Sequence, residues 1–312
     1  GLSSFDGNNT AEFSGINVQI NNGENSTEST NGLGNLIIGY NEISILSPEF
    51  CSDLAYDNEI DCNNNGEIWA DNVHTGSHNL IVGKGHSFTH YGGIVSGNRN
   101  AALGAFSNVT GGTENIASGT HSSVSGGDTN QATGIETSVS GGVRNIASGQ
   151  NSSISGGDTN QTSGKDTSIS GGVRNIASGE NSSISGGDTN QTTAFDTSIS
   201  GGHGNIASFA NASISGGLNN IASGQYSSVL GGNGNEASAR ESSVSGGNAN
   251  LASGDQSSVS GGNGNESLGV ASSVTGGINN TANSFCSIVS GGLNRSASDQ
   301  YDWVAGSLTE GQ

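Results

Sequence analysis

From Ser122 onward, valine or isoleucine returns every fifteenth residue with a small polar residue on either side, in the blocks SSVSGGDTNQATGIE, TSVSGGVRNIASGQN, SSISGGDTNQTSGKD and TSISGGVRNIASGEN. A polar–apolar–polar triplet predicts a short strand with one side chain turned inward, and the blocks carry neither a 3.6-residue apolar period nor helix caps. Counted from Ser122 as position one, position three is Ile94, Val109, Val124, Ile154, Ile184, Ile214, Val244, Val274 and Val304. That reads as a buried β-branched ladder. Position eleven is small at Ala102, Ala117, Ala132, Ala147, Ala222 and Ala252, with Thr162, Thr192 and Ser267 as exceptions. A thin coil needs this pairing of one branched residue with one small one. Position nine is asparagine from Asn100 to Asn280, whose amide can satisfy backbone groups at a corner, so an inward asparagine ladder is expected. The glycine pairs at positions five and six, such as Gly126-Gly127 and Gly141-Gly142, suit the close approach and positive φ of a turn.

Repeats of this length are too short for a helix pair and too regular for a linker, which leaves a solenoid with one coil per repeat. The fold class expected is all-β: a parallel β-solenoid, or β-roll, of 15-residue coils with two short strands per coil. Fourteen coils from Gly92 to Tyr301 at about 4.8 Å each give a rod on the order of 65 Å long. Residues 1–34 contain a strand-like stretch from Phe13 to Ile20 and read as an N-terminal cap or arm. Residues 35–91 read as the first irregular coils, with half-coils at Asn35-Leu36-Ile37-Ile38-Gly39 and Asn79-Leu80-Ile81-Val82-Gly83 separated by a loop at about 47–71. Residues 92–312 are the regular 15-residue solenoid.

Composition narrows the function classes. With 30% hydrophobic and 5% aromatic residues, the chain cannot fill a wide core, which disfavours a layered globular enzyme. Seven Lys+Arg against 27 Asp+Glu give a net charge of −20, which excludes nucleic acid and polybasic membrane docking as expected partners. No apolar run approaches the length of a membrane span, so no membrane insertion is expected. The sequence opens at Gly1 without methionine, which suits a mature or trimmed product.

The half-repeats S-V-S-G-G and N-x-A-S-G resemble the head repeats of YadA-like trimeric autotransporter adhesins. That resemblance covers the last two thirds of the chain and implies a left-handed parallel β-roll with an adhesive role. No heptad stalk or alternating anchor strands follow the repeats in this sequence, so attachment by that family's route is not expected. The N-x-V-S-G half-coils are also similar to those of a plant ice-binding β-roll, which implies an alternative function.

Candidate chemistry is concentrated before the repeats. Ten residues lie between Cys51 and Cys62, a spacing that suits a local disulfide and an oxidising, secreted location. Cys286 is left over at a corner. Asp61, Asn63 and Asn65, followed by Gly66, match the opening of a calcium loop, with Glu67, Asp53, Asp57, Glu59 and Asp71 nearby, so Ca²⁺ is the cofactor such a site would hold. Position twelve of that motif is Asn72 instead of a bidentate glutamate, and a plain acidic loop is the equal alternative. His74, His78, His86 and His90 lie near Lys84, Tyr91 and Arg99, a set that could neutralise a uronate and abstract a proton in a polysaccharide lyase. Their spacing is not diagnostic, and no nucleophile motif stands out, so no catalytic residue is assigned.

Along the rod, Ser123/Ser125, Ser138/Ser140, Ser153/Ser155 and Ser168/Ser170 predict a flat two-row hydroxyl surface. Position ten carries Ile116, Ile146, Ile176 and Ile206 alternating with Gln131, Gln161 and Gln191, an exposed apolar file that suggests self-association. Near the end, Ile288 and Trp303 replace the outward serine and Arg295 replaces the ladder asparagine, so the coils from Ser287 to Gln312 are expected to dock on another subunit. The expected function is a secreted structural or adhesive rod forming an extracellular or cell-surface fibre, sheath or adhesin assembly. Its partners would be copies of itself and a polysaccharide or another surface. The alternatives are ice binding through the serine array and a polysaccharide-binding or lyase protein.

Overall fold

The computed structural model describes residues 13–42, 49–53, 55–56, 58–70 and 72–306. In it each block closes into one coil carrying two strands of two residues, such as Ser138–Val139 and Ile146–Ala147. Each strand pairs in parallel with the strand fifteen residues on, Ser138 with Ser153 and Val139 with Ile154, and Ile146 with Gln161 and Ala147 with Thr162. Two parallel sheets run along the chain with the core between them. The expected β-solenoid is what forms, and its geometry is consistent with a β-roll. A third column of parallel bridges at position seven, from Asn98–Thr113 to Ile278–Leu293, adds a contact line at the corner that the sequence pattern did not reveal.

The core is as thin as composition requires. Val124, Val139, Ile154 and Ile169 face Ala132, Ala147, Thr162 and Ala177, all of them buried. The inward asparagines are bonded on every side. At Asn145 the backbone N–H donates to Asn130 Oδ1 at 2.9 Å, and Nδ2 donates to the carbonyls of Gly141 and Gly157, each at 3.0 Å. The hydrogen bonds offset the cost of taking the amide out of water and fix the spacing of successive coils.

The glycine pair divides its work. Gly142 has φ +89°, and a Cβ placed there would lie 2.2 Å from the carbonyl oxygen of Gly157, whereas a Cβ on Gly141 would meet nothing within 4 Å. Two further corners use left-handed backbone without glycine: position eight at Thr129, Arg144 and Thr159, and position fifteen at Glu136, Asn151 and Asp166, with φ of 52–59°. The alternation of DTN with VRN also acquires a reason. Arg144 Nη2 donates to both carboxylate oxygens of Asp158, at 2.8 and 3.1 Å, and Arg174 does the same to Asp188. Each arginine thus clamps its own coil to the next.

Upstream the frame slips. Strands β1 (Leu36–Ile38), β4 (Leu80–Lys84) and β6 (Ile94–Asn98) follow one another in the first sheet, between them comes the insert of β2 (Phe50–Cys51), α1 (Glu59–Asn64) and β3 (Trp69–Ala70), and β5 (Ser87–Phe88) opens the second sheet. Ile81 pairs with Val95 and Val95 with Val109, so these coils are fourteen residues long, one turn residue shorter than the rest. Ile94 is therefore not in the branched ladder, as its spacing predicted: it is 38% exposed, and Val95 is buried in its place. The single Gly97 does the turning that Gly111-Gly112 do one coil later.

Two other expectations change. The Phe13 to Ile20 stretch forms no strand, and Phe13, Ile16, Val18 and Ile20 are exposed, because no sheet edge is paired with it. The Asp61-x-Asn63-x-Asn65 run is not a loop: Asp61 and Asn63 lie in α1 and Asn65 is its C-cap. Asn58 at the N-cap accepts from the Asp61 backbone N–H at 3.0 Å, which explains why helix wins locally.

Candidate functional site

Cys51 of β2 and Cys62 of α1 form a disulfide, their Cα atoms 5.7 Å apart, with both residues buried. The bond ties the helix to the antiparallel β2–β3 pair, in which Phe50 lies opposite Ala70 and Cys51 opposite Trp69. Ser52 completes the joint: its hydroxyl donates to Glu67 Oε2 at 2.7 Å and accepts from the Ile68 backbone N–H at 2.8 Å. Glu67 is thus engaged within the insert. In α1, Asp61 and Asn63 project about 200° apart around the helix axis, so the pair does not converge on one point. Among the described residues no group of three or more histidines, cysteines and carboxylates has metal-binding geometry. Asp57 and Asp71 lie outside the described residues.

Two of the histidines meet: His74 Nε2 lies 2.8 Å from the His86 carbonyl oxygen, and both residues bond to Asn41. His86 is buried, and its ring replaces an asparagine rung: Nδ1 accepts from the Asn100 backbone N–H at 3.2 Å while Nε2 donates to the Val82 carbonyl at 3.1 Å. Asn41 supplies the rung below, its Oδ1 accepting from the His86 backbone N–H at 2.9 Å. His74 stacks on Phe88 with ring centroids 4.8 Å apart, and His90 pairs with Thr89 Oγ1 at 3.1 Å. Tyr91 lies in an aromatic corner column, edge-on to Phe106, which stacks on His121. Arg99 forms an ion pair with Glu114 at another corner. Of the groups that sequence proximity gathered into one candidate cluster, His74 and His86 meet around Asn41 and His90 lies against Tyr91, while Arg99 sits at another corner.

The His86 geometry has a pH consequence. Nδ1 must be an unprotonated acceptor and Nε2–H a donor, so only one neutral tautomer fits, and burial lowers the ring's pKa from its ordinary value. A lowered folded-state pKa leaves the stability contribution intact above about 6.5 and removes it as pH falls toward the folded value. His86→Asn should keep the rung and remove this proton-linked loss. The expected result is that the difference in urea midpoint between pH 7.5 and 5.5 shrinks in the variant. An unchanged difference would show that another group carries the acid sensitivity.

The outward faces match the expected rows in position but differ in exposure. Ser123, Ser138, Ser153 and Ser168 are half-buried, with Ser125, Ser140, Ser155 and Ser170 exposed beside them. Parallel register stacks the first of these columns without interruption from Ser123 to Ser273. On the second sheet Ile146, Ile176 and Ile206 are half-buried, not fully exposed as expected, because the neighbours at position ten, Gln161 and Gln191, stack directly beside them. Ile116 is not on open surface either, since it lines a cleft between the second sheet and the insert. At the far end Ile288 and Trp303 are 39% and 66% exposed, and Trp303 Nε1 donates to Ser290 Oγ at 2.7 Å. The Arg295 backbone N–H still reaches Asn280 Oδ1 at 2.9 Å, so the ladder's last rung is received although no further asparagine follows there. Residues 307–312, part of the expected docking segment, lie outside the described residues.

No protein-family model matches the chain, and no curated protein matches it.

Proposed function

We propose that the protein is a secreted structural and adhesive rod that works by presenting uniform rows of side chains and by associating with copies of itself, in the manner of YadA-like adhesin heads. The observation that carries this reading is the register of the regular coils: serine recurs every fifteen residues along one outer face and isoleucine every thirty from Ile116 to Ile206 along the other, while the inward asparagines are taken up in holding the coils together. Repetition of that kind builds a surface. The disulfide supports an oxidising exterior as the working location, and a net charge of −20 keeps such a repetitive rod in solution. Catalysis has no part in this reading.

The face of association proposed is position ten of the second sheet, where Ile146, Ile176 and Ile206 alternate with the glutamines. Half-buried isoleucines still offer apolar area, and a copy packed on this row would remove it from water at roughly 25 cal/mol per Å². The test is molar mass by light scattering. Wild type should scatter as a multiple of 30.9 kDa and the triple variant Ile146→Lys/Ile176→Lys/Ile206→Lys as the single chain. A wild type at 30.9 kDa, or a variant that keeps the wild-type mass, would refute the association.

One observation favours a second reading, ice binding: the serine column from Ser123 to Ser273 presents hydroxyls at the spacing of adjacent parallel strands. Serine lacks the methyl that restrains a threonine hydroxyl, and Ser258 Oγ donates to Ser273 Oγ at 3.1 Å, so part of the array bonds to itself. Thermal hysteresis at micromolar protein would establish ice binding, and none is expected if the rod reading holds.

A further inference from the structure

The insert does not bulge freely into solvent. It lies beside the outer face of the second sheet and lines two clefts, one of about 450 Å³ with Ser52, Gly66 and Ile68 in its wall and one of about 340 Å³, of which the second has a distinct chemistry. That cleft, about 340 Å³, lies between Phe50, Tyr56 and Trp69 of the insert on one side and Gln131 and Thr133 of the solenoid on the other, with Glu49 at its edge. Its floor includes Ile116 and the buried Leu103. The volume falls at the lower end of the range of small-molecule sites, which begins at about 300 Å³.

We propose that this cleft is a glycan-binding subsite that takes a neutral hexopyranose unit of a polysaccharide. A pyranose ring has an apolar C–H face and a rim of hydroxyls, and the cleft offers a partner for each. The rings of Tyr56 and Trp69 supply rigid amphipathic surface, while the Gln131 amide both donates and accepts and the Thr133 hydroxyl does likewise. Trp69 Nε1 donates to Glu49 Oε2 at 2.8 Å, which fixes a carboxylate at the edge of the cleft as an acceptor for sugar hydroxyls. The same carboxylate, in a chain of net charge −20, selects against uronates, sulfated sugars and phosphates. The solenoid's half of the cleft is built from Gln131 of the second sheet and Thr133 just beyond it.

The disulfide positions the insert's half of the cleft. Cys51 itself lines it, and Cys51 pairs with Trp69 across β2 and β3. The solenoid's half depends on the coil register alone. Binding should therefore be lost on breaking the Cys51–Cys62 bond while the rod persists.

The subsite deepens the adhesive reading and rests on it for its biological role, but its test is separate from the mass measurement that decides self-association. Native electrophoresis of the full chain through gels containing a neutral β-glucan, galactomannan or alginate gives the readout. Retardation is expected in at least one neutral polymer and not in alginate. Tyr56→Ala, Gln131→Ala and the pair Cys51→Ser/Cys62→Ser should each weaken retardation at least fivefold, with Tyr226→Ala, an exposed aromatic residue outside the cleft, unchanged. Gln131→Ala alters a half-buried solenoid side chain outside the insert, so its result stands even if changes in the insert unfold it locally. Migration unaffected by every neutral polymer, equal retardation by alginate, or retardation that survives both Gln131→Ala and Cys51→Ser/Cys62→Ser would overturn the proposal.

Discussion

Gly142→Ala should unfold the coils around it, whereas Gly141→Ala one residue earlier should be nearly silent. At Gly142 the added methyl would lie 2.2 Å from the Gly157 oxygen and 2.6 Å from Asn145 Nδ2, on backbone with φ +89°. Neither neighbour can retreat, since that carbonyl accepts from the Val143 backbone N–H at 2.9 Å and from Asn145 Nδ2 at 3.0 Å. Overlap with fixed backbone, added to left-handed strain of about 1–2 kcal/mol, places the cost at about 4 kcal/mol or more. At Gly141 nothing lies within 4 Å of the added atom, and a surface change of this type stays within about 0.5 kcal/mol. Urea unfolding followed by circular dichroism compares the two variants directly. Equal destabilisation would mean that the coils are not stacked in the register described.

Asn175→Ala should remove a rung from the middle of the ladder. Asn175 Oδ1 accepts the Asn190 backbone N–H at 3.0 Å, and Nδ2 donates to the carbonyls of Gly171 and Gly187 at 3.1 and 3.0 Å. Alanine leaves the buried Asn190 N–H without its acceptor and opens a small void, and each unsatisfied buried group costs about 1–3 kcal/mol. A total of about 3 kcal/mol is expected, seen as a lower urea midpoint. In a solenoid each coil is held by its neighbours, so hydrogen exchange should accelerate most in the coils on either side of Asn175 and less toward the ends. Uniform acceleration along the rod would contradict nearest-neighbour stability.

The regular coils were legible in the sequence because three inward positions each keep one class of residue. Branched residues, small residues and asparagines separate cleanly by position, and their burial follows. The first coils were harder for a physical reason. Ile94 and Val95 are both β-branched, so residue type alone cannot say which faces in. The deciding signal is the single Gly97 where later coils have a pair, which shortens the coil by one residue and exchanges the two faces. His86 was hidden differently. It stands fourteen residues before Asn100, in register with the ladder once the shorter coil is recognised, but imidazole invites a functional reading when the backbone it serves is unseen. The insert was read correctly for its disulfide and incorrectly for its local shape. An Asx-rich run matches both a calcium loop and a capped helix, and the choice falls to the Asn58 cap and to the packing of Cys62, neither of which spacing encodes. The cleft between the insert and the second sheet had no local signal, because its two sides are separated by more than sixty positions from Trp69 to Thr133.

The claim that copies of the rod meet through the second sheet is tested most directly by short-range crosslinking. In a Cys286→Ser background, with the Cys51–Cys62 bond left intact, cysteine is placed either at Gln161 on the position-ten row or at Ser170 on the serine face. Both sites are exposed. Treatment with a short bismaleimide should link chains efficiently through Gln161→Cys and poorly through Ser170→Cys. Equal linking at both sites, preferential linking through Ser170→Cys, or no linked chains at either would contradict the account.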